Sequence, residues 1–124
     1  MAGRYDLTVE QGATFSKTFT LKDASGAVIN LSTYTGRGQI RKYHRSDDPP
    51  EATFVVAFFT NGTDGKLVIS LTAAVTAALT AGETVGDVRS KYVYDIELFV
   101  TATPTIVRRI LEGDLYVSPE VTRA

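Results

Sequence analysis

The chain has no cysteine, no tryptophan and a single histidine. Without cysteine there is no disulfide framework, thiolate nucleophile, iron–sulfur cluster or cysteine-ligated zinc. With His44 alone, no histidine pair can form a metal motif, and no serine sits in a Gly-x-Ser-x-Gly elbow. His44 therefore reads as an exposed strand-end residue, and no enzymatic activity is expected. An excess of one charge is also missing. Lys and Arg number 13 against 14 Asp and Glu, so no global basic field recruits nucleic acid or an anionic membrane. Long apolar runs are absent too. The longest, residues 52–59, falls far below the ~18 of a membrane helix, and Met1 to Asp6 has none of the apolar character of a signal peptide. These absences predict a soluble protein with no membrane or nucleic-acid partner and no metal or small-molecule cofactor.

What is present has a period of two. The 124 residues suit one domain, 1–124. Folding at this size buries roughly two-thirds of the unfolded chain's surface, enough for stability without staples. Tyr5, Leu7 and Val9 alternate with Asp6, Thr8 and Glu10, and Phe15, Phe19 and Leu21 share one parity. Lys17 interrupts that face, so it snorkels at a rim or marks a bulge. Asp23-Ala24-Ser25-Gly26 is a turn, with a short strand expected over Val28–Leu31. Thr35–Tyr43 is a strand whose Gly36 and Gly38 leave room for a large neighbour, expected to be an aromatic ring of a facing sheet. Further strands are read at Ala52–Thr60, Leu67–Leu71, Tyr92–Leu98, Ile106–Leu111 and Leu115–Val117. The register of Ile106–Leu111 is ambiguous, because each parity carries an arginine and aliphatic residues. Thr72 stands at an N-cap position and Gly82 at a stop, so residues 73–80 form the one helix expected. Residues 83–90 read as a loop, and the tail from Ser118 has little to pack. The pattern predicts an all-β fold, an immunoglobulin-like β-sandwich of about seven or eight strands with one short helix, a small barrel being the alternative. Without a tryptophan and a cysteine pair it is no true antibody domain.

Chemistry-bearing motifs are weak. Gly36-Arg37-Gly38 lacks the following helix of a phosphate loop. Arg37, Arg41, Lys42 and Arg45 with Tyr43 form a basic patch, but Asp47, Asp48 and Glu51 follow and cancel much of its field. Those carboxylates have no ordered calcium-ligand spacing. Asn30-Leu31-Ser32 and Asn61-Gly62-Thr63 match the glycosylation tripeptide, but without a signal peptide they read as turn chemistry.

The informative anomaly is the strand Ala52–Thr60. Phe54, Val56 and Phe58 share one face, and Val55, Ala57 and Phe59 share the other. A surface strand is polar on its outer side, so two apolar faces need two covers. The second cover is either intramolecular, helix 73–80 or a long loop, or a partner subunit, and the shortness of the helix favours the partner. Val55, Ala57 and Phe59 are thus candidate interface residues, with the basic strand around Arg37 and Arg41 as the alternative surface.

Several segments carry a resemblance. Tyr5-Asp6-Leu7-Thr8-Val9-Glu10-Gln11-Gly12-Ala13-Thr14-Phe15 leads to Leu21-Lys22-Asp23-Ala24-Ser25-Gly26 and Ile29-Asn30-Leu31. Later come Gly65-Lys66-Leu67-Val68-Ile69-Ser70-Leu71, Tyr94-Asp95-Ile96-Glu97-Leu98, Arg109-Ile110-Leu111-Glu112-Gly113 and Val117-Ser118-Pro119-Glu120-Val121-Thr122-Arg123. In this order they resemble small tailed-bacteriophage virion proteins, and the opening is similar to the N-terminal domain of phage baseplate upper proteins. The resemblance implies a virion structural protein, made in the host cytoplasm, that adapts a tail or baseplate to tail fibres. Its implied partners are other virion proteins and further copies of itself. A capsid decoration (cement) protein is the alternative within that class. A carbohydrate-binding module ranks lower, because it needs an exposed platform from Tyr43, Tyr92 and Tyr94, and alternation turns Tyr92 and Tyr94 inward.

Overall fold

The computed structural model describes residues 3–42, 49–79 and 90–118. Tyr43, His44, Arg45, Asp47 and Asp48, the Gly82 stop, most of loop 83–90 and the terminal tail lie outside them. The described residues build one mixed sheet of eight strands: β1 (Gly3–Arg4), β2 (Leu7–Glu10), β3 (Phe15–Thr20), β4 (Tyr34–Arg41), β5 (Ala52–Phe58), β6 (Lys66–Leu71), β7 (Ser90–Val100) and β8 (Thr103–Ser118). One short helix, α1 (Ala73–Ala78), follows β6, and the Thr72 hydroxyl caps it by accepting from the Val75 amide at 3.3 Å. The fold is all-β.

The spatial order is β1-β8-β7-β4-β5-β6-β3, with β2 also on β8. Two features curl this sheet. First, β5 pairs with β4 only over Ala52–Phe54 and with β6 only over Val55–Phe58, so it passes from one group of strands to the other. Second, β2 lies on β8 at one edge while β3 lies on β6 at the opposite edge, and only residues 11–14 separate them. The chain itself thus draws the two edges together. Tyr5 packs edge-on against Phe19 at 5.4 Å. The Lys17 ammonium lies 5.3 Å over the Tyr5 ring, and β3 pairs with β6 without a register shift, so Lys17 marks no bulge.

Inside the curl lie the residues that alternation turns inward, among them Leu7, Val9, Ile40, Phe54, Leu67, Ile69, Tyr92, Tyr94, Ile96, Leu115 and Val117. Leu31 fills one end, its amide bound to the Gly62 carbonyl at 2.7 Å. The other end of β6 leads into α1, where Thr76 and Leu79 are buried. The Thr76 hydroxyl donates to the Ala13 carbonyl at 2.8 Å and accepts from the Gly12 amide at 3.1 Å. The Gln11 side-chain amide donates to the Leu79 carbonyl at 2.7 Å.

Three expectations are corrected. Val28–Leu31 is no strand, and its one ladder-type pairing is the isolated bridge Lys22↔Val28. The Asp23 carboxylate gathers the Ser25 amide and hydroxyl and the Ala27 amide, so the chain spends this stretch on turns. Ile106–Leu111 and Leu115–Val117 are one 16-residue strand, β8. Its pairing jumps from Ile96↔Leu111 to Glu97↔Arg109, leaving Ile110 as a bulge. That inserted residue exchanges the faces of Val107, Arg108 and Arg109 relative to Leu111 and explains the mixed parity. The space at Gly36 and Gly38 is filled mainly by aliphatic side chains of adjoining strands, Val56 with Leu98 and Ile96 respectively, with the Phe54 ring contributing only at Gly38.

Tyr94 ties β7 to the N-terminal segment. Its hydroxyl donates to the Tyr5 carbonyl, reaching from β7 past β8 to the segment between β1 and β2. Burial, then the neighbouring Asp6 carboxylate, pushes the phenol from 10.0 up to about 12. A raised folded-state pKa favours the protonated phenol, so this stabilisation is complete below pH 10 and is lost as pH rises towards about 12. Alkaline urea titrations should show a decline in that window on the order of 1–2 kcal/mol, which Tyr94→Phe flattens. A Tyr94→Phe profile matching that of the unchanged protein would place the alkaline transition elsewhere.

Candidate assembly surfaces

The two apolar faces of β5 meet different fates. Phe54 is buried at 4% exposure, and Val56 and Phe58 pack against the core. On the other face Val55 is 60% and Phe59 44% exposed, and Ala57 is exposed between them. α1 does not cover this face, because its hydrogen bonds to residues 11–13 seat it at the end of the curl. Of the covers weighed from sequence, the helix is therefore unavailable, and the long loops fall largely outside the described residues.

The strand ladder extends this surface. Val55 stands opposite Ser70, which stands opposite Ser16, and Ala57 opposite Val68, which stands opposite Thr18. The next row holds Lys66 and Thr20, and the Phe59 amide donates to the Lys66 carbonyl at 3.2 Å. Lys66 is the one charged side chain in these rows. The face of β5, β6 and β3 is a nearly uncharged, small-residue sheet surface, a composition suited to contact with another protein surface.

Arg37 and Arg41 lie on the outward face of the adjoining β4, and both are engaged. Arg37 Nε is 3.0 Å from Glu97 Oε1, and the guanidinium lies 5.0 Å over the Phe99 ring. Arg41 donates to the Gln39 side-chain carbonyl at 3.1 Å. Arg109 on β8 continues the pattern, 3.4 Å from Asp95 and 3.6 Å from Glu112. Arg41, Arg109, Asp95, Glu97 and Glu112 line a shallow depression of about 220 Å³, and their charges largely offset each other. Each exposed pair is worth about 1 kcal/mol or less, so the face is a mixed-charge lattice and not a basic field.

β4 and β5 are neighbours, and Gln39↔Thr53 puts their outward residues on the same side. The ladder stops at Gly38↔Phe54, one step before Arg37 would face Val55. The two surfaces read separately from sequence therefore adjoin. Sequence reasoning missed Asp95 and Glu97 as the partners of the basic strand. Their signal was the polar side of the clean alternation in β7, but only the register Arg37↔Glu97 and Gln39↔Asp95 gives it meaning. Tyr92 and Tyr94 are each 3% exposed, so neither offers a platform for a sugar ring. No protein-family model matches the chain, and no curated protein matches its sequence significantly.

Proposed function

We propose that this chain is a bacteriophage virion structural protein without catalytic activity, a tail or baseplate adaptor whose β5 face docks onto a neighbouring subunit. The order of turn and strand motifs from Tyr5 to Arg123 supports the virion reading. The observation that carries the docking reading is the exposure of Val55 and Phe59 on a face that α1 leaves open. The finer architecture belongs to the same proposal: an immunoglobulin-like sandwich, whose two layers share β5 and the β2–β3 segment at their corners. Its partners are other virion proteins and further copies of the chain, and its place is the assembled particle.

Phe59→Asp tests it. In the isolated chain the carboxylate stays in water, and the cost is expected to be about 0.5 kcal/mol, as at other surface positions. At a dry contact an unpaired carboxylate is expensive, so the variant should fail to enter particles that lack the chain and are supplied with it in trans. Unfolding of the isolated variant, or its normal incorporation, would remove this face from assembly. The interface would then move to the strand carrying Arg37 and Arg41.

A further inference from the structure

Among the described residues the outer edge of β8 is unpaired over part of its length. β1 pairs with Leu111 and Glu112, and β2 pairs with Leu115 to Ser118. On that side no described strand pairs with Thr103–Ile110. Residues 103–109 are exposed on both faces, with Ile106 at 52% and Val107 at 40%. Between this edge and segment 21–29 lies a cleft of about 400 Å³. Leu21, Ile29 and Ile110 line it with apolar surface, and Lys22 and Arg108 line it with positive charge.

The two cations decide what the cleft accepts. Arg109, which also lines it, is held by Asp95 and Glu112, whereas Lys22 and Arg108 have no side-chain partner among the described residues. Arg108 stands opposite Leu98, on the inward face that the open end of the curl leaves in water. An unpaired strand edge offers backbone donors and acceptors in a fixed spacing, and side chains beside it select the occupant. A second copy of this edge would set Arg108 and Arg109 against the same pair of residues, which like-charge repulsion disfavours.

We propose that the cleft accepts an extended, carboxylate-bearing segment of a partner protein, added as a further strand along Thr103–Ile110. Pro104 has no amide proton, so pairing concentrates on residues 105–110. Carboxylates of the incoming strand meet Lys22 and Arg108, and its aliphatic side chains pack on Leu21, Ile29 and Ile110. This surface is distinct from the β5 face and does not depend on it.

A fluorescent peptide of alternating valine and glutamate, and its valine–lysine counterpart, titrated by anisotropy against the full chain, tests the proposal. The acidic peptide should bind and the basic one should not. Lys22→Glu combined with Arg108→Glu should weaken the acidic peptide at least about tenfold. Amide exchange at residues 105–110 should slow on binding, and Phe59→Asp should leave binding unchanged, which keeps this test separate from that of the β5 face. Equal binding of the two peptides, unchanged affinity in the double variant, or protection elsewhere would overturn it. So would self-association of the chain, seen by sedimentation, with residues 105–110 protected from amide exchange in the absence of peptide.

Discussion

Tyr94→Ala is expected to lower the unfolding free energy by about 3–5 kcal/mol in urea titrations, as for other buried aromatic rings. The ring is 3% exposed and meets Phe54 edge-on at 5.9 Å. Its removal opens a cavity in the curl and strips the Tyr5 carbonyl of its donor. Tyr94→Phe separates these contributions, since it keeps the ring and loses only the hydrogen bond, about 1 kcal/mol. Phe15 occupies a lesser position. It is half-buried and packs against Phe54 at 6.3 Å, so Phe15→Ala should cost roughly half as much as Tyr94→Ala. A Tyr94→Ala loss below about 0.5 kcal/mol would mean that the ring is a surface group.

Gly38→Ala should be nearly as damaging for a change of one methyl group, costing about 1–3 kcal/mol by overpacking. The added carbon would lie 2.9 Å from the Asp95 carbonyl oxygen and 3.2 Å from the Phe54 ring, with Ile96 closer still. The carbonyl cannot retreat easily, because Asp95 is paired with Gln39 in the middle of the β4–β7 ladder. Gly3→Ala is the control. Its nearest neighbours would be 3.7 and 3.8 Å away, ordinary contact, so stability should change by less than about 0.5 kcal/mol. Equal effects at the two glycines, read as urea midpoints, would show that packing around β4 is not the cause.

The two faces of β5 and the core parity of β2, β6 and β7 were legible because a strand's side chains alternate whatever lies beside it. The turn at Asp23 and the cap at Thr72 were legible for a similar reason, since the groups they use lie within four residues. The apolar surface of the candidate site was therefore visible as Val55, Ala57 and Phe59. That α1 leaves it uncovered was not. Whether α1 lies across β5 or against residues 11–13 depends on the Thr76 hydroxyl reaching Ala13, 63 residues away in the chain.

Local residue order thus determined an all-β chain, the inward and outward sets on most strands, one short capped helix, and the exclusion of cysteine-based and histidine-pair chemistry. Tertiary structure alone decided the partners. It laid β1 and β2 parallel on β8 and merged two expected strands through the bulge at Ile110. It also set Glu97 beneath Arg37, 60 residues distant. Alternation is a property of one strand's backbone, whereas register between distant strands is chosen by the whole set of side chains that must be buried together. A single extra residue at Ile110 re-aims Arg108 towards the open cleft, and nothing within that segment announces it.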